Sequence, residues 1–142
     1  NNSVEDLTAK VLAHELAHAY THVGFDIDGI RWDTDAFVHT DIFILEGLAQ
    51  IYSEAVCLAV RKRNPGPLSA MNDLLIYQAP WYSEHRNWAP THSHRSEIIR
   101  HALIDTRTKG EIEYESFLSQ LDHFSSEWED ISQATVPEQS LL

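Results

Sequence analysis

The sequence predicts a mostly α fold, and three observations predict it. Two long runs, Val4 to Val23 and Asp41 to Arg63, are apolar around nearly the whole helical circumference and end in stop residues. No stretch alternates apolar and polar residues well enough to make a convincing strand pair. The first run also contains His14-Glu15-x-x-His18, a spacing that places both imidazoles on one helical face, about 5–6 Å apart at Cβ. With 142 residues, 43% hydrophobic and 23% charged, the chain can bury a real core and reads as globular rather than disordered.

The elements follow in order. Ser3 is placed to cap the first helix, with Asp6 three residues on as an imperfect capping box, and Gly24 stops it. Gly24 to Val38 reads as a polar loop rich in aspartate; Asp26, Asp28, Asp33 and Asp35 miss the ligand ladder of a calcium loop. The second helix, Asp41 to Arg63, is closed by Asn64-Pro65-Gly66-Pro67. A third is expected over Leu68 to Gln78, followed by an aromatic and histidine-rich loop from Ala79 to Ser93. A fourth spans Ser93 to Arg107, and Gly110 separates it from a fifth, Glu111 to Phe124. Residues 1–124 are thus expected to form one domain, and 125–142 an acidic and polar tail, partly disordered.

A helix apolar all round is expected to be buried, and buried histidines and carboxylates need partners. One metal ion would serve His14 and His18 together, at about 2.0–2.1 Å from each nitrogen. Glu15, rotated about 100° from His14, stands where a general base would act without being a ligand. In the second helix Glu46 shares its face with Ile42, Phe43, Ala49, Gln50 and Ser53, so its carboxylate should be desolvated and in need of a cation or strong hydrogen bonds. Gly47 beside it costs about 1 kcal/mol relative to Ala in mid-helix, which close approach of another backbone would explain. Glu46 is therefore the leading third ligand. Glu54 lies about 80° off that face, and His22 a further turn along its own helix, which leaves both as weaker alternatives. Cys57 is about 16 Å along the helix from Glu46 and reads as a small core residue.

With these residues in view, the segment resembles the active-site helix of the zincin metallopeptidases. The metzincin variant would require Gly and His where Tyr20 and Gly24 stand. The chain is instead similar to gluzincins, whose third ligand is a Glu on a second helix: Glu46 lies 28 residues after His18, in Glu46-Gly47-Leu48-Ala49. Gln50, one turn on, matches the position from which such families hydrogen-bond a ligand histidine. The Glu46/Gln50 pair is similar to the plant LIM-domain, ubiquitin-activated peptidases. The resemblance covers Leu12 to Leu58 and implies a zincin-like helical catalytic domain binding Zn²⁺, a peptide or protein substrate, and Glu15 as base. It also implies an oxyanion-stabilising His or Tyr from downstream; His94 is favoured, then His92, with Tyr82 and His85 as further candidates. Zincin domains carry a sheet ahead of this helix, and about ten residues precede His14, so that sheet is expected either to be absent or to lie on another segment of a larger protein or on a partner chain.

Composition limits the rivals. A formal charge of −12, from 10 basic and 22 acidic residues, argues against nucleic acid or an anionic membrane as the main partner, and no run approaches the roughly 18 apolar residues of a membrane span. A single cysteine excludes an internal disulfide or cysteine-rich zinc finger and fits a reducing, cytoplasmic setting. Three other classes remain open: a zincin-like domain that binds metal and a protein partner without cleaving, a metal-free helical interaction module, and a metallohydrolase acting on something other than peptides.

Overall fold

Ser3 starts the first helix as its pattern predicts: its Oγ accepts from the Asp6 backbone N–H at 3.1 Å and donates to the Asp6 carboxylate at 2.7 Å. In the computed structural model, which describes residues 2–25, 28–110 and 112–134, that helix is α1, Val4–His22. The described residues are mostly helical, 73% in helix with no strand. Further helices are α2 (Thr34–His39), α3 (Ile42–Val60), α4 (Gly66–Leu75), α5 (Arg95–Lys109) and α6 (Tyr114–Ala134), with short 3-10 turns at Pro80–Tyr82 and Glu84–Asn87. The chain divides into two compact units, 1–86 and 87–142, where one domain over 1–124 was expected.

In the first unit α1 and α3 run antiparallel. The start of α1 meets the segment after α3, where Asn64 Nδ2 donates to Asp6 Oδ1 at 3.4 Å, and the end of α1 meets mid-α3, where the Tyr20 and Tyr52 rings lie 5.8 Å apart. Gly24 ends α1 with φ of +79°, and a Cβ there would collide with the Ile30 backbone, so the stop is set by fold as well as by conformation. The aspartate-rich stretch is not all loop: Asp33 accepts from the Ala36 N–H at 3.0 Å and caps α2. Asp26 of that stretch lies outside the described residues. Asp41 caps α3, accepting from Phe43 N–H at 2.9 Å.

α3 buries Ile44, Gly47, Leu48, Ala49, Gln50, Ser53 and Cys57. Its 19 residues with mean hydropathy of 1.5 are long and apolar enough to cross a membrane, where the sequence reading found no such run. The buried polar groups Gln50 and Ser53, however, suit a helix packed on α1. The expectation of all-round burial fails for α1. That helix buries Lys10, His14, Ala17 and Thr21, while Leu12 and Leu16 are 56% and 60% exposed and Val11 and Tyr20 are open as well. Between the open sides of α1 and α3 lies a groove of about 640 Å³ walled by alanines, Leu12, Leu16, Tyr20, Tyr52 and Val56.

The second unit is built on α5 against α6. Gly110 reverses the chain between them in the left-handed region, φ 72°. Ile98, Ala102, Leu103, Phe117 and Leu121 form its core with Trp88, whose ring sits 4.8 Å from Phe117 and whose Nε1 donates to the Tyr114 hydroxyl at 3.0 Å. α6 runs on to Ala134, so Ser125 to Ala134 is helix rather than tail; residues 135–142 lie outside the described ones.

Candidate metal centre

Two helices deliver three donors to one point. His14 and His18 project from successive turns of α1, their rings 4.9 Å apart and nearly perpendicular. Glu46 projects from α3, with Oε2 3.0 Å from His14 Nε2 and Oε1 3.7 Å from His18 Nε2. One donor atom from each residue lies within 4.8 Å of the others, and this is the group among the described residues able to hold a metal ion. A tetrahedral zinc at 2.0–2.1 Å from each donor would need them about 3.4 Å apart. The two histidine–Glu46 separations fall on either side of that spacing, each to a different carboxylate oxygen, and the three donors lie within 4.8 Å of one another, so the donor set fits such an ion.

The electrostatics suit the same purpose. Burial pushes the His18 pKa below its usual value against the pull of the Glu46 charge, with His14 lowering it further, which favours the neutral, ligating imidazole. For Glu46, burial pushes upward, but the His14 hydrogen bond and the His18, His14 and Lys10 charges prevail and hold the carboxyl below the ordinary range. His14 is buried and its Nδ1 has no hydrogen-bond partner. Gln50, expected to hydrogen-bond a ligand histidine, is fully buried, yet neither its amide oxygen nor its nitrogen has a partner.

Glu15 is exposed on α1 next to this cluster, and its charge acts on His18, Lys10 and Tyr82. Tyr82, in the 3-10 turn packed on α3, is the downstream candidate brought to the centre: its ring lies 5.9 Å from His14. Burial raises its phenol pKa, and the Glu46 charge adds to this, keeping it protonated as a donor. His85 is fully buried and turned to Glu54, Nε2 to Oε2 3.4 Å, with Arg86 3.7 Å from the same carboxylate. That pairing occupies Glu54, the rival third ligand. His22, the other rival, stacks on Phe37 at 4.7 Å and faces Thr34 Oγ1 at 3.3 Å. His92 and His94 belong to the second unit; His92 Nδ1 accepts from His94 N–H at 3.1 Å, and His94 stacks on Trp128 at 4.7 Å. Cys57 is buried, as a core residue should be.

Sequence reasoning missed Lys10. It is 2% exposed, one turn before His14 on the same face, and burial lowers its pKa against the opposing charges of Cys57, Glu46 and Glu15. A lysine inside an otherwise apolar run, four residues before the first histidine, was the available signal. Comparison of the chain with protein-family models, curated proteins and solved structures finds no match.

Proposed function

We propose that the first unit carries the metal centre of a zinc-dependent peptidase of the gluzincin kind. The observation that carries this reading is the convergence of His14, His18 and Glu46 from two helices with Glu15 alongside. The three residues would hold the ion and leave a fourth position open. When bound, zinc lowers the pKa of a coordinated water to about 7 and polarises a carbonyl. Glu15 Oε takes the proton of the attacking water and returns it to the leaving amine nitrogen. Tyr82, whose ring lies 5.9 Å from His14, would donate its phenolic O–H to the oxyanion that forms at the carbonyl. The word peptide rests on resemblance to the zincins; the donors themselves would serve other hydrolyses.

The test is elemental mass spectrometry of the purified chain beside His18→Ala and Glu46→Ala, followed by peptide hydrolysis by the wild type and Glu15→Gln. One zinc per chain, lost in both ligand variants, with cleavage abolished in zinc-loaded Glu15→Gln, is the expected result. Zinc without Glu15-dependent cleavage would make this a metal-binding interaction domain. No zinc after reconstitution would end the metallopeptidase reading.

A further inference from the structure

Lys10 takes no part in the centre described above, and its surroundings give it no packing partner that needs a charge. It is 2% exposed, on the buried face of α1 that carries His14, one turn earlier. A lysine buried this far is ordinarily held by a carboxylate, because an unpaired cation in a dry interior is costly. Among the described residues Lys10 makes neither an ion pair nor a side-chain hydrogen bond. Across from it α3 presents Glu46, Gln50, Ser53 and Cys57, whose spacing of four, three and four residues sets them within about 60° on the helical wheel. The Lys10 charge acts on Glu46 and on Cys57, the two ends of that stripe, about 16 Å apart along the helix. The ammonium therefore stands opposite the middle of the stripe, where Gln50 and Ser53 are fully buried with no hydrogen-bond partner of their own.

The groups whose charge reaches Lys10 are Cys57, Glu46 and Glu15. Burial pushes the Cys57 thiol pKa up, so at neutral pH it is no anion. What remains is the third ligand and the base of the metal centre. The midpoint of His14 and His18 lies six residues beyond Lys10, about 9 Å along α1. At that range little water screens a buried charge, and a divalent ion feels it twice as strongly as a monovalent one. We infer that Lys10 is a positioning residue of the metal centre: a fixed interior cation that loosens the hold of His14, His18 and Glu46 on a divalent ion and favours negative charge at the open coordination position. The inference rests on the zinc-binding part of the proposed function and is independent of what the centre cleaves. Its sign is its signature. Removing the lysine charge tightens zinc binding, whereas ordinary damage to the packing of α1 on α3 loosens it.

The experiment measures the zinc Kd of the full chain by competition with a chromophoric chelator, for wild type, Lys10→Met, Lys10→Gln and Lys10→Arg. Circular dichroism checks the fold of each, and elemental mass spectrometry its zinc content. Two neutral variants are used so that one remains if the other fails to fold. The expected result is one zinc per chain throughout, with Kd lower by about tenfold or more in Lys10→Met and Lys10→Gln. Lys10→Arg, which keeps the charge, should stay within about threefold of wild type. An unchanged Kd in a folded neutral variant overturns the inference and leaves the metal centre standing. Weaker binding in the neutral variants also overturns it, by giving Lys10 a packing role alone. Equal tightening in Lys10→Arg overturns it as well, because the effect would then follow shape and not charge. No zinc in any of the four proteins after reconstitution removes the metal centre and the inference together.

Discussion

The two sides of α1 invert the usual order of a helix. The side against α3 buries Lys10, His14 and Thr21, whereas the other leaves Leu12, Leu16 and Tyr20 in the open. For a helix packed only for stability the polar groups would face water and the leucines the core. Burying a lysine and a histidine costs free energy unless they are paired, and here Glu46 is the carboxylate within reach of the histidines. The difference teaches that hydropathy alone does not place α1: the face against α3 carries the His14–His18–Glu46 cluster, and part of the apolar face is left as surface.

The largest effect that separates the two sides is on metal. His18→Ala should weaken zinc binding by more than about 100-fold, because loss of a mere supporting partner of a ligand already costs 10–100-fold. A competition titration with a chromophoric chelator measures it. The thermal shift supplies a second reading: zinc at 100 times its Kd should stabilise the wild type by about 2.7 kcal/mol and, after a 100-fold loss of affinity, His18→Ala by no more than about 0.4 kcal/mol. Equal zinc affinity in the two proteins would detach the polar face from metal altogether.

Packing comes next. Ile44 is fully buried on α3, so Ile44→Ala should cost about 2–5 kcal/mol in urea unfolding of the metal-free chain. A cost below about 1 kcal/mol would mean that the α3 core is looser than its burial implies.

How much of this was legible depended on the distance over which each feature is encoded. His14, Glu15 and His18 were readable because the helical period alone sets their relation. Glu46 needed two helices to pack, and its clues were a carboxylate on an apolar face and a glycine beside it. The short helix α2 was lost among aspartates, because Asp33 as a cap looks the same as Asp33 in a loop. The end of α6 was lost for the opposite reason: beyond Phe124 the composition turns acidic and polar, and Trp128 alone carries on the helical stripe of Phe117, Leu121 and Phe124. Which apolar face of α1 stays open cannot be read from a run that is apolar all round, since the choice is made by what packs beside it.

Lys10 gives a smaller effect with a pH signature. Burial holds its pKa below 10.5, so the unfolded chain binds that proton more tightly than the folded one. Wild-type stability therefore rises with pH between the folded-state pKa and 10.5. Lys10→Met removes the buried charge while keeping the stem, and should stabilise the metal-free protein by about 1 kcal/mol or more at neutral pH. That advantage should be complete below the folded-state pKa of the lysine and vanish above its unfolded value. Urea midpoints across the alkaline range check it; an advantage independent of pH would mean that Lys10 is not a buried cation.

The smallest expected effect falls on the open face, and its smallness is informative. Leu16 is 60% exposed, so Leu16→Gln removes little buried area and should change stability by no more than about 0.5 kcal/mol, with the urea m-value unchanged. A leucine in a core would lose several times that. If Leu16→Gln cost more than about 1 kcal/mol, and the cost fell on dilution, the face would be covered by a second copy in solution, and the contrast between the two sides of α1 would belong to the isolated chain alone. A near-zero change at every concentration leaves the face as free surface, and then the inverted helix is a property of the fold itself: α1 buries Lys10, His14 and Thr21 and leaves Leu12 and Leu16 outside.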